Sequence, residues 1–195
     1  MRSPVRKLLP FLGAAIAAGG LSACGDSHTK VTTGTYAGES GQNAPYLDVG
    51  PLIYEVQLSR QLNPTNSEDQ AYLKGLAPAQ AKLETGEEWF GVFLQVYNHE
   101  SAAHPASTNI TISDTQGNTY TPIVPQAVNE YAYRGGEVAP KQQLPPPDTT
   151  ASFGPTQGTM LLFKIKIASL DNRPLELKIV SPESSVQTAQ AELDV

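Results

Sequence analysis

The stretch from Glu88 to Asn98 constrains the fold more than any other. Phe90, Val92, Leu94 and Val96 fill one side of it, while Trp89, Phe93 and Tyr97 lie on the other, with Gly91 and Gln95 between them. Alternation with a period of two is the signature of a β-strand. A strand that is apolar on one side and aromatic on the other belongs in the middle of a sheet whose two faces are both covered. The rest of the chain must supply its neighbours and both covers.

Strand patterns recur along the sequence. Leu52, Tyr54, Val56 and Leu58 alternate with Ile53, Glu55, Gln57 and Ser59, which predicts a half-buried strand ending at Arg60 to Pro64. Asn66 or Ser67 then caps a short helix through Lys74, with Glu68 and Asp69 in its first turn and Gly75 beyond its end. Its narrow apolar edge, Ala71, Tyr72 and Leu73, suits a small lid. Ile110 and Ile112 mark a short strand, and the turn signal Asp114 to Asn118 leads into a returning partner, Thr119 to Val124, held to an edge by Pro122 and Pro125. Ala127 to Tyr133 is expected to form a further strand. Residues 135–158, with Pro140, Pro145, Pro146, Pro147 and Pro155, read as a long connection. In Thr159 to Ala168, Leu161, Phe163, Ile165 and Ile167 face in and Lys164 and Lys166 face out. Leu175, Leu177 and Ile179 form the last expected strand, and Pro182 closes the domain.

About seven strands with turns between them and one short helix predict an all-β fold, an aligned β-sandwich of immunoglobulin type, with a small closed β-barrel as the alternative. The sandwich is expected over residues 46–182. Residues 183–195 read as a frayed tail or weak helix.

The N-terminal segment has a different character. Arg2, Arg6 and Lys7 precede an uncharged run from Leu8 to Leu21, and the small residues Ser22 and Ala23 lead to Cys24, the only cysteine. The run is shorter than the ~20 residues a spanning helix needs, so residues 1–23 read as a secretory signal. Leu21-Ser22-Ala23-Cys24 resembles the lipobox of bacterial lipoproteins. The resemblance implies cleavage between Ala23 and Cys24, a diacylglyceryl group on the Cys24 thiol, with or without an added N-acyl chain such as palmitate, and residence at the outer face of the cell membrane. Two acyl chains meet the requirement for stable anchoring. Gly25 to Ala44 is polar and Gly-rich, so residues 24–45 are expected to be a lipidated N-terminus followed by a flexible tether.

The domain also resembles the uncharacterised immunoglobulin-like domains of secreted bacterial lipoproteins, akin to small secreted mycobacterial antigens. The residues carrying this resemblance are Gly86 to Val92, Tyr97-Asn98, Asp114 to Tyr120, Gly158 to Ile167 and Leu175 to Ile179. It implies an exported accessory or binding module with no catalytic activity of its own. Without Arg2, Arg6 and Lys7 the chain keeps ten basic against nineteen acidic residues, a net charge of −9. That balance disfavours nucleic acid, whose affinity rests on phosphate neutralisation. The expected partners are the membrane, through the lipid, and a protein or a glycan.

Chemistry-bearing motifs are sparse. There is no Gly-x-Ser-x-Gly elbow. Glu87 and Glu88, as neighbours on a strand, point to opposite faces and cannot flank one bond. His99, Glu100 and His104 are the one possible nucleus for a metal carrier or metal-dependent enzyme, the alternative function. Zinc or copper needs three or four convergent ligands, and no cofactor is expected. Tyr131, Tyr133 and Arg134 form the expected interaction surface, since Tyr and Arg anchor interfaces. Asn63 to Lys74, with Glu68 and Asp69, is a second candidate surface.

Overall fold

The computed structural model describes residues 29–32, 46–154 and 156–193. Ala23, Cys24 and most of the expected tether lie outside them. The strands are β1 (Thr29–Thr32), β2 (Tyr46–Val49), β3 (Leu52–Leu62), β4 (Glu87–Asn98), β5 (His104–Ala106), β6 (Ile110–Ser113), β7 (Thr119–Tyr120), β8 (Gly136–Val138), β9 (Gln143–Leu144), β10 (Thr159–Lys166), β11 (Leu175–Val180) and β12 (Thr188–Leu193). Three short helices, α1 (Ser67–Tyr72), α2 (Pro78–Ala81) and α3 (Thr150–Phe153), interrupt them.

The strands form a sandwich. One sheet has the order β10-β4-β3-β2, with β9 also paired to β4. The other has the order β1-β12-β11-β6-β7, and β5 and β8 make a small ribbon. As its two-sided pattern requires, β4 is central, antiparallel to both β3 and β10. Its Phe90, Val92, Leu94 and Val96 meet Leu177, Ile179, Ile112 and Phe163 in the inter-sheet core. Trp89 and Phe93 face outward and lie in a second apolar cluster with Leu62, Tyr72, Met160 and Leu162. The cover over this second cluster is the lid that the sequence suggested. Asn66 caps α1, its side chain accepting from the Glu68 N–H at 2.8 Å.

Several expectations are corrected. β3 continues to Leu62, and a bulge between Val56 and Leu58 shifts its register. The extra residue sends Leu58 to the outer cluster rather than the inner face shared by Tyr54 and Val56. The expected tail, 183–195, is corrected within its described residues: Thr188–Leu193 is an interior strand of the second sheet, with Ala189, Ala191 and Leu193 buried. The sandwich therefore extends past residue 182. Within the expected tether, Thr29–Thr32 pairs parallel to β12. Ala127 to Tyr133 is a turn that touches β10 through a single bridge, Ala132 to Met160. Beyond β7, the chain leaves the second sheet at Pro122, and Ile123 bridges Leu162 in the first. The 135–158 connection is structured by β8, β9 and α3.

Candidate binding surface around Arg134

A polar clamp holds the lid. Asp69 is 4% exposed and accepts from Arg60 Nη2 at 2.6 Å and from the Asn63 N–H at 2.7 Å. Burial opposes ionisation of this carboxyl, but the Arg60 guanidinium and the Asn63 N–H outweigh it and hold its pKa below the ordinary value. The Arg60 guanidinium also lies 5.7 Å from the ring of Tyr72 and 5.9 Å from that of Phe93, within cation–π range. At the other end of α1, the buried Asn129 donates Nδ2 to the carbonyls of Tyr72 (2.8 Å) and Lys74 (2.9 Å), the unsatisfied acceptors of a helix terminus. Its Oδ1 accepts from the Tyr131 N–H. Asn63 to Lys74 is thus mainly a clasp, with Asp69 turned inward and Glu68 outward.

The same asparagine turn positions Arg134. The guanidinium donates to the carbonyls of Pro125 and Gln126, both at 2.7 Å, and to that of Asn129 at 3.4 Å. These bonds fix the side chain while leaving the residue exposed. Tyr131 and Tyr133 do not share its exposure. Tyr131 is half-buried, its ring edge-on to Tyr72 at 4.8 Å. Tyr133 is 5% exposed and belongs to the inter-sheet core. Its hydroxyl donates to the Ser107 carbonyl at 2.6 Å, while the Ser107 N–H donates to the Tyr54 hydroxyl at 2.7 Å. Burial, with Tyr54 alongside, pushes the Tyr133 hydroxyl far above the ordinary tyrosine range, so it stays neutral. The expected three-residue exposed surface is therefore corrected to one exposed arginine on a buried aromatic base. Tyr133 turns inward because its hydroxyl finds a backbone partner inside the sandwich.

Two depressions flank the Tyr133–Arg134 backbone. One, of about 40 Å³, is lined by Thr108, Pro122, Ile123, Val124, Met160 and Leu161 together with Tyr133 and Arg134. The other, of about 170 Å³, lies between that backbone and the Pro-rich connection, bounded by Glu130, Ala132, Leu144, Pro145, Pro146 and Thr149. Val124 (51%), Val128 (51%) and Phe153 (74%) are large apolar side chains exposed on segments of this region. The sequence pointed to Arg134 and to the Pro-rich loop. It gave no sign of Asn129, whose role depends on meeting a helix end 55 residues away in the chain.

The histidine nucleus does not assemble. His104 Nδ1 lies 2.9 Å from Glu183 Oε1. The His99 ring instead sits 6.0 Å from that of Tyr97, and its carbonyl accepts from Lys141. The Glu100 N–H donates to Asn98 Oδ1. Asp114 is turned to Ser169 and Asn118 in the β6–β7 turn. Among the described residues, no three His, Cys, Asp or Glu side chains come together as a metal site.

Comparison with known proteins places the fold and no more. The chain is similar in structure to the yjhA protein of Bacillus subtilis, with a TM-score of 0.50 and 11% identity over 77% of this chain and 97% of that one. A candidate lipoprotein of Bacillus subtilis, ycdA, gives a TM-score of 0.44 and 9% identity over 79% of this chain and 39% of its own. An uncharacterised β-sandwich protein of Clostridium difficile also gives 0.44 and 9%, over 84% and 95%. No protein-family model matches the sequence. No curated protein matches it either.

Proposed function

We propose that this chain is a lipid-anchored, extracytoplasmic recognition module of the immunoglobulin-like lipoprotein kind, without catalytic activity of its own, and that a protein partner seats on the Arg134 flank. The carrying observation is the pair of depressions on either side of Tyr133–Arg134, walled by prolines and aliphatic edges around one fixed guanidinium. A well-held arginine within apolar surroundings is the kind of residue that concentrates binding energy in protein interfaces. Because carbonyls already restrain it, little side-chain freedom is lost on binding.

The anchor half of the proposal rests on the Leu21-Ser22-Ala23-Cys24 sequence. Among the described residues, no helix is long and apolar enough to cross a membrane. The metal reading is the weaker one, because His104 faces Glu183 and His99 does not join it. Metabolic labelling with a fatty acid tests the anchor: Cys24→Ala abolishes incorporation and leaves the signal uncleaved at this site. Unchanged labelling and processing of that variant contradict the anchor. The recognition half is tested by cross-linking from the Arg134 flank, where Arg134→Glu abolishes capture of the partner.

A further inference from the structure

β1 and β12 together determine which end of the sandwich lies nearest the anchor. In their parallel register Thr29 sits opposite Thr188 and Thr32 opposite Ala191. Thr188 also pairs with Val180 of β11, so the chain enters the sheet at the end carrying the β11–β12 hairpin, residues 181–187. Other segments gather at this pole. The Val180 N–H donates to the Asn109 carbonyl, Glu183 meets His104, and Gly50 approaches Ser181 and Gln187. The opposite pole carries the Asp114 to Asn118 turn, which bonds to Asn172.

Only four residues, Gly25 to His28, separate Cys24 from Thr29. Their five Cα steps span at most about 18 Å. A tether of twenty free residues has a typical reach of ~25 Å and imposes no orientation. Fastening Thr29–Thr32 to β12 removes that freedom. The hairpin beside the entry point also bears Val186, which is 63% exposed.

We propose that β1 straps the domain against the membrane that holds its anchor, with the Ser181 to Gln187 hairpin and the His99 to Asn109 segment apposed to the phospholipid headgroups and Val186 at the contact. This inference rests on lipidation of Cys24. The pole sets Glu100, Glu183 and Glu137 against His104 and Lys141, a net acidic group that suits a zwitterionic surface rather than a strongly anionic one. In this orientation the Asp114 turn points away from the bilayer.

The test uses the full lipidated chain in phosphatidylcholine vesicles. Its single cysteine is consumed by the thioether, so an introduced cysteine is the sole free thiol. Fluorophores are placed at Val186→Cys and, separately, at Gln116→Cys, and vesicles carry a headgroup nitroxide quencher. Quenching is expected to be several-fold greater at position 186. Inserting twenty Gly/Ser residues after Asp26 is expected to bring the two positions to the same low level while the protein still floats with the vesicles. Equal quenching at both positions in a floating protein overturns the strap and leaves the anchor standing. A protein that does not float contradicts the anchor, and the strap with it. The Val31→Cys/Gln190→Cys pair is expected to cross-link on oxidation, and failure to do so also overturns the strap.

Discussion

The two apolar clusters of this protein sit on opposite faces of the same sheet, and they are held by different means. The inter-sheet core is supplied mainly by strands: β2, β3, β4 and β10 face β6, β11 and β12, with Tyr133 of the asparagine turn added to them. The outer cluster is closed by a lid whose own apolar content is small, Tyr72 with the partly buried Leu73, Leu76 and Leu83. Polar bonds complete it: Arg60 to Asp69, and Asn129 to the end of α1. One face is secured by area and the other by directed bonds. The Arg134 flank belongs to the second system, since its guanidinium is tied to the same Asn129 turn. The difference locates the fold in the first cluster and the particular surface of this protein in the second.

The contrast breaks if the inner cluster tolerates truncation. Phe163→Ala is expected to lose about 3–5 kcal/mol of global stability, the cost of a large buried cavity. Chemical denaturation measures it, and a loss comparable to a surface substitution contradicts the inner cluster's primacy. A smaller, more local effect is expected at the clasp. Asp69→Ala strips Arg60 and the Asn63 N–H of their acceptor and is expected to cost about 2 kcal/mol, reduced because Arg60 keeps some solvent. Hydrogen exchange should accelerate in residues 63–83 before it does in β4 and β10. Uniform acceleration across both would merge the two systems.

Acidity sharpens the same distinction. Asp69 and Asp114 are both buried carboxyls whose pKa values are held low: burial raises each, but Arg60 and Asn63 at one, and Ser169, Asn118 and Gln116 at the other, lower it further. A depressed folded pKa contributes stability above the unfolded value, near pH 4. That contribution fades as pH falls through the lower folded pKa. Denaturation midpoints at a series of pH values should decline below about pH 4, with a shallower decline in Asp69→Asn. An identical acid profile for wild type and variant would remove Asp69 from the clasp. The smallest expected effect is that of Asn129→Ala, about 1–2 kcal/mol from two carbonyls left without a donor and the Tyr131 N–H left without an acceptor. It should also loosen Arg134, visible as faster exchange in residues 126–134.

The sequence revealed the area-driven half well and the bond-driven half poorly. β4, β10 and β11 were legible because large side chains alternate in them. β12 was not, although it alternates equally: its inward positions are Ala189, Ala191 and Leu193, and alanine is a weak hydrophobic signal and a strong helix former. Hydrophobic alternation puts Leu58 on the inner face, because a single-residue bulge leaves no mark in it. The lid helix is readable from local chemistry, and so is its cap to within one residue, Asn66 or Ser67, of which the structure uses Asn66. The inward turn of Asp69 is not readable, because its partner Arg60 lies beyond the helix on the preceding strand. At the candidate site, residue type alone proposes exposure for both Arg134 and Tyr133; it holds for Arg134 and fails for Tyr133, whose hydroxyl partner, Ser107, lies 26 residues away in the chain.

Site-specific photo-cross-linking in intact cells tests the recognition surface most directly. A photoreactive residue at Val124, beside Arg134 in the smaller depression, is compared with one at Gln116 on the far turn. The account predicts one discrete adduct from position 124 that disappears in Arg134→Glu, with none from position 116. No adduct from position 124, or one that persists unchanged in Arg134→Glu, would contradict it.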